Sequence, residues 1–261
     1  MTEKERGVER QVQRTADLEK ARAKIVFPLD FSDPAEAAAF AGRLDGHVGL
    51  FKVGLELFVT AGPAVLDALP GKTGVFLDLK FHDIPATVRS AARAAAARGV
   101  RYVSVHAAGG RKMLEAAVEG AGERTGVLAV TALTSLSRED LTTLGLRDDL
   151  TAPEKLVMHR ADQAREAGCA GIVCSGQEVG AVKARFGGDF IALVPGVRPQ
   201  WGDVPRDDQS RVTTPAEAVG LGADYLVVGR PIRLAPDPPG AAERVAEEMA
   251  SALSRGGADL S

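Results

Sequence analysis

The sequence predicts one α/β domain folded as a (β/α)8 TIM barrel. Three observations lead there: eight short apolar runs rich in strand-forming residues, Ala-rich helical stretches between them, and charged residues where several of the runs end. The runs are Ile25–Asp30, Leu50–Leu55, Val75–Lys80, Tyr102–Ala107, Val127–Leu133, Gly171–Cys174, Phe190–Pro195 and Tyr225–Gly229. Most are continuously apolar, the pattern of parallel strands covered on both faces. Eight of them with helices between favour a closed barrel over an open doubly wound sheet.

Taken in order, the first segment is the polar stretch at residues 1–20, with too little apolar surface to bury. It is expected to be an N-terminal tail, either a frayed helix or disordered, leaving 21–261 as the barrel domain. Asp33-Pro34-Ala35-Glu36 supplies an acidic cap, a proline at the first helical position and a glutamate at the third. Thr214-Pro215-Ala216-Glu217 repeats the device, and Gly222 is placed to stop that second helix. Two connections are long, Thr134 to about Pro153 and Val197 to about Thr213. Both follow a strand and so emerge at the C-terminal mouth, where barrel enzymes carry their sites. The second holds Arg198, Gln200, Arg206, Gln209 and Arg211, a polar cover suited to an anion.

Composition narrows the function. With 32 basic against 35 acidic residues the net charge is −3, which argues against a nucleic-acid or membrane surface held by bulk electrostatics but permits a small anion held by local cations. Aromatics are only 5% of the chain, so Ala, Val, Leu and Ile must build the core. Cys169 and Cys174 lack metal-ligand spacing and read as buried, inert thiols. No stretch is long enough to span a membrane and no signal peptide is read, so a cytoplasmic enzyme is expected.

The sharpest signal is Val75-Phe76-Leu77-Asp78-Leu79-Lys80-Phe81-His82-Asp83-Ile84-Pro85. Asp78 and Lys80 are two apart on a strand and are expected on one face, pointing into the barrel, with Leu77 and Leu79 outward against helices. Asp30 at the end of the first run and Lys52 within the second occupy matching places. Buried charges are costly unless paired. A salt-bridged plug is one reading; a catalytic array at the functional end of the fold is the favoured one.

Asp78-x-Lys80-x-x-Asp83 followed by Ile84-Pro85-x-Thr87 resembles the signature of the orotidine 5′-phosphate decarboxylases. Phe51-Lys52-Val53-Gly54, Val105-His106-Ala107-Ala108-Gly109-Gly110, Thr131-Ala132-Leu133-Thr134-Ser135, Pro195-Gly196-Val197-Arg198 and Val228-Gly229-Arg230-Pro231 resemble the family's other blocks in the same order. The resemblance runs from about Lys24 to Arg233. Ala86 departs from it, standing where many members have Asn.

The resemblance implies decarboxylation of orotidine 5′-phosphate to uridine 5′-phosphate, with no metal and no organic cofactor. Lys80 would protonate the ring carbon, Asp78 would lie beside the substrate carboxylate, and Lys52 and Asp83 would complete a charged tetrad. Asp30 and Lys52 would reach the ribose, and Thr134 and Ser135 the pyrimidine and neighbouring ribose groups; Pro195 is counted among the substrate-binding positions. The phosphate would be held by Arg230 and the backbone at Gly229, with Arg198 and Gln209 closing over it; Gln200 is the rival of Gln209. The family pattern also implies a homodimer in which Asp83 and Thr87 reach the neighbouring subunit's site.

The four histidines carry less. His106 reads as a packed, hydrogen-bonded residue rather than a base, His47 and His159 read as surface, and no pair has metal-ligand spacing. Two other readings compete. A magnesium-dependent sugar-phosphate decarboxylase or synthase would share Asp-x-Lys-x-x-Asp but lack Ile84-Pro85-x-Thr87. A barrel that only binds a nucleotide need not keep costly buried charges.

Overall fold

The computed structural model describes residues 3–201 and 212–256. Eight parallel strands pair in sequence order into a closed barrel: β1 (Ile25–Pro28), β2 (Leu50–Gly54), β3 (Gly74–Phe81), β4 (Tyr102–His106), β5 (Gly126–Val130), β6 (Gly171–Val173), β7 (Ile191–Val194) and β8 (Tyr225–Val227). The ring closes where Ile25 and Val26 of β1 register with Leu226 and Val227 of β8. Each expected run overlaps one of these strands. Helix α1 (Glu3–Lys24) precedes the barrel. The outer helices are α2 (Pro34–Leu44), α3 (Leu55–Ala61), α4 (Pro85–Ala97), α5 (Arg111–Ala121), α6 (Arg138–Thr143), α7 (Pro153–Glu166), α8 (Val179–Phe186), α9 (Pro215–Gly220), α10 (Arg230–Arg233) and α11 (Pro238–Gly256).

Strand pleating sorts the apolar residues into two cores. Outward-facing Phe27, Phe51, Val53, Leu77 and Val105 pack against the helices. Inward-facing Val26, Leu50, Phe76, Tyr102, Leu128 and Leu193 fill the barrel. Below them the Tyr102 and Tyr225 hydroxyls meet at 3.2 Å. The plug closes the barrel's lower part, so any site must lie above it, at the C-terminal mouth.

The local signals act as their chemistry requires. Asp33 accepts a hydrogen bond from the Ala35 amide at 2.8 Å, ahead of Pro34 at the first turn of α2. Thr214 and Glu217 form a reciprocal capping box on α9, and Gly222 leaves that helix with φ of 98°. Cys169 and Cys174 are both buried.

Two stretches carry more structure than the sequence showed. Residues from Glu3 onward, expected as a frayed helix or a disordered tail, are helical as part of α1, whose C-terminal half docks on α11. The docking includes polar contacts: Asp17, bonded to Gln13 of its own helix (2.8 Å), also accepts from Ser254 (3.0 Å), and Arg22 pairs with Glu243 at 2.7 Å. Ala21 supplies a fully buried apolar contact. The connection from Thr134 to Pro153, expected only to be long, is partly helical. It contains α6, opened by a capping box between Ser137 and Asp140.

Candidate active site

Period-two alternation that fills the barrel also furnishes its mouth. Two residues beyond the plug side chains Val26, Leu50, Phe76, Tyr102 and Leu193 come Pro28, Lys52, Asp78, Ser104 and Pro195, all again inward. Above the plug opens a pocket of about 530 Å³. Asp30, Lys52, Asp78, Lys80 and Thr134 line one part of it; Pro195, Arg198, Gly229 and Arg230 line another.

The charged residues form one chain of contacts. Lys80 Nζ lies 2.8 Å from Asp78 Oδ2, Lys52 Nζ lies 3.8 Å from the same oxygen, and Lys52 Nζ also lies 3.2 Å from Asp30 Oδ1. Asp78 is nearly buried, and burial is the strongest single influence on its carboxyl, opposing ionisation. The Lys52 and Lys80 charges, with hydrogen bonds from Lys80 and Ser104, outweigh it and hold the carboxyl below the usual aspartate value. Gly54 leaves room beside this array. A Cβ there would stand 3.0 Å from Lys52 Nζ and 3.6 Å from Asp30 Oδ1.

Lys80 does not reach its place by simple strand alternation. Its φ is +52°, and it is the sole non-glycine residue with positive φ among the described residues. The β3–β4 register shifts between Leu77 and Phe81 at the same point. Left-handed backbone at a non-glycine residue costs about 1–3 kcal/mol and persists only where neighbours enforce it. Here Ser104 Oγ accepts the Lys80 amide hydrogen at 2.8 Å and donates to Asp78 Oδ1 at 2.8 Å.

Arg198, Arg230 and Arg233 line the same pocket. Burial, with the Arg198 and Arg233 charges, lowers the Arg230 pKa; nearby Asp30 raises it in part. Burial likewise lowers Arg198. Guanidinium groups stay protonated under such pressure, so these side chains favour an anion. Arg233 donates to the Asp30 backbone carbonyl and lies over the Phe31 ring at 5.6 Å.

Other anticipated residues fall elsewhere. Asp83, Thr87 and Ser135 are exposed and outside the pocket lining, and Asp83 accepts from the Ile84 amide at 2.6 Å. Gln200 borders a groove with Trp201 and Arg244 rather than the barrel mouth. Gln209, with Arg206 and Arg211, lies outside the described residues. His47 is not a free surface residue but bonds Glu243 at 2.8 Å. The ring of His106 lies 5.4 Å from that of His82, and its buried Nδ1 has no hydrogen-bond partner among the described residues. Burial, then His82, Arg160 and Lys80, lower its pKa.

Ser104 and Arg233 were not singled out from the sequence. Both had a signal: Ser104 is two residues beyond the inward Tyr102, and Arg233 is one helical turn beyond Arg230.

The sequence profile described as "Orotidine 5'-phosphate decarboxylase / HUMPS family" matches residues 23–245. An orotidine 5'-phosphate decarboxylase of Desulfosudis oleivorans is 49% identical over 233 residues, 88% of this chain and 94% of that protein. One of an Anaeromyxobacter species is 52% identical over 229 residues, 87% of this chain and 98% of that protein. The crystal structure of orotidine 5'-phosphate decarboxylase from Lactobacillus acidophilus superposes with a TM-score of 0.75 at 34% identity, covering 86% of this chain and 98% of that one.

Proposed function

The chain belongs to the orotidine 5'-phosphate decarboxylase / HUMPS family, and from that premise we propose that it converts orotidine 5′-phosphate to uridine 5′-phosphate without metal or organic cofactor. The observation that carries this reading is the Lys80–Asp78 contact of 2.8 Å in a pocket also lined by Arg198, Arg230 and Arg233.

The chemistry follows from that arrangement. The bond between the ring carbon and its carboxylate breaks, carbon dioxide leaves, and the bonding pair remains on the ring carbon. Lys80, an ammonium held beside the developing charge, stabilises it and then transfers a proton to that carbon, giving the neutral pyrimidine. Asp78 holds Lys80 in position and adjoins the departing carboxylate. Lys52 joins Asp78 to Asp30, which faces the ribose hydroxyls. Thr134 contacts the pyrimidine, with Ser135 near it. Pro195 shapes the pocket wall, and Arg198, Arg230 and the backbone at Gly229 bind the phosphate, a role we also assign to Gln209.

We assign Asp83 and Thr87 to the neighbouring subunit's site in a homodimer. Supporting this, both are exposed beside Ile84, an apolar side chain that is itself 66% exposed. No helix among the described residues is long and apolar enough to cross a membrane; no disulfide joins Cys169 and Cys174, which suits the reducing cytoplasm, where we place the enzyme.

The test is to treat purified protein with chelator, add orotidine 5′-phosphate, and follow pyrimidine absorbance together with carbon dioxide release. Equal molar loss and release supports the reading. No turnover overturns the assignment, and turnover that disappears with chelator and returns with magnesium overturns the metal-free mechanism.

A further inference from the structure

One fully buried hydroxyl beside the charged array has no part in the chemistry above. Ser104, on β4, is 0% exposed. Its oxygen meets two groups of opposite demand. It accepts the main-chain N–H of Lys80 and donates its proton to Asp78 Oδ1, each at 2.8 Å. A hydroxyl has one proton to give, so committing it to Asp78 turns a lone pair toward the Lys80 amide.

The first contact replaces a lost ladder bond. Regular pairing of β3 with β4 places Phe76 opposite Tyr102 and Leu77 opposite Val103, then shifts register before Phe81 meets Val105. Lys80 lies inside the shift with φ of +52°. A buried amide there needs an acceptor, and the Ser104 side chain supplies it. The second contact fixes the carboxylate: with Oδ1 held by Ser104, Oδ2 faces both Lys80 (2.8 Å) and Lys52 (3.8 Å).

We propose that Ser104 is a positioning residue for the reaction, holding the Lys80 main chain in its left-handed turn and the Asp78 carboxylate in the rotation that presents Oδ2 to both lysines. This rests on the reading of Lys80 as proton donor. A serine that merely filled space would need neither contact, whereas this one joins the two residues whose geometry the proton transfer depends on.

The experiment compares Ser104→Ala, Ser104→Thr and Ser104→Val with Lys80→Ala, measuring kcat, KM and the pH dependence of kcat. Thr and Val share a shape and differ by the hydroxyl. Ser104→Ala leaves the Lys80 amide unsatisfied and Asp78 with one donor fewer, so kcat should fall about tenfold to a hundredfold with KM within about threefold. The groups facing Asp78 are Lys52 from β2, Lys80 from β3, and Ser104 and His106 from β4. Of these only Ser104 changes, and losing its donor should move the acid limb of kcat to higher pH. Ser104→Thr should retain more turnover than Ser104→Val. Ser104→Ala turning over within threefold of wild type, or losing rate with an unmoved acid limb, overturns the proposal. So do Thr and Val variants of equal activity. If Lys80→Ala keeps near-normal turnover, the proton-donor reading itself fails; if Lys80→Ala is dead and Ser104→Ala normal, only the role of Ser104 does.

Discussion

Lys80 Nζ and Asp78 Oδ2 are 2.8 Å apart even though Lys80 leaves the regular strand, its backbone turned to φ of +52°. The pair is made by a bulged residue bending back over its neighbour, not by two side chains standing in parallel on one pleated face. That costs backbone energy, and removing the ammonium should therefore remove function rather than fold. Lys80→Ala should lose at least about a hundredfold in kcat, the scale set by deleting one group that acts on developing charge. It should still fold, with a stability loss no greater than about 1–3 kcal/mol from the broken pair with Asp78, and its affinity for uridine 5′-phosphate should stay close to wild type. Near-normal turnover would remove Lys80 from the mechanism.

The acid side of the stability curve tests Asp78. Its carboxyl is held below the ordinary value of 3.8. A depressed folded value means that the ion pair stabilises the fold above the ordinary value, and that this contribution disappears as pH falls through the folded value. Wild-type melting temperature should thus drop below about pH 4, and Asp78→Asn should lack that part of the drop. At pH 7 the variant should lose about 1–3 kcal/mol, less than a fully buried pair would lose because the Lys80 side chain is 31% exposed. Calorimetry of both proteins from pH 7 to 3 decides it; parallel curves would show that Asp78 does not titrate in this window.

Gly54 should prove intolerant for a steric reason confined to the site. Its φ of −94° is open to any residue, but an added Cβ would stand 3.0 Å from Lys52 Nζ and push it off Asp30 and Asp78. Gly54→Ala should lower kcat/KM about tenfold with a stability change under about 1 kcal/mol. A full-strength enzyme would mean that Lys52 can shift without cost.

Much of this was legible in the sequence, for identifiable reasons. The strands could be read because residues such as Ile25–Phe27 and Val103–Val105 leave no alternative to burial on both faces. Asp30, Lys52 and Asp78 could be placed because each sits at a fixed inward step beyond a plug residue. The docking of α1 could not be read, since Asp17 and Arg22 are stabilised by Ser254 and Glu243, more than 200 positions away. The turn at Lys80 was hidden because it depends on the register between β3 and β4, a property of the pair. Helix α6 was missed although Ser137 and Asp140 carried its cap, because its short apolar face offers little period to detect.

The phosphate should matter for turnover through Arg230. Remote binding energy can be used to raise the rate at the reacting carbon. Orotidine lacking the phosphate should be a very poor substrate, and Arg230→Ala should lower kcat/KM for the nucleotide at least about tenfold. The decisive measurement is the fourth corner: with orotidine as substrate, Arg230→Ala should change almost nothing, since the group it binds is already gone. Equal losses on both substrates would assign Arg230 a structural role.

Assembly gives the last prediction. Asp83 and Thr87 are exposed and outside the pocket that holds Lys80. If they serve the neighbouring subunit, each site combines Lys80 of one chain with Asp83 of the other. Lys80→Ala and Asp83→Ala homodimers should then each be nearly inactive. In a mixed dimer the two-fold symmetry places both lesions in one site and leaves the other intact. Equal amounts unfolded and refolded together should give mixed dimers as about half of the population, and so about a quarter of wild-type activity. Were Asp83 to act within its own chain, every site in the mixture would carry one lesion. Mixing would then recover nothing, and the shared site would have to be given up.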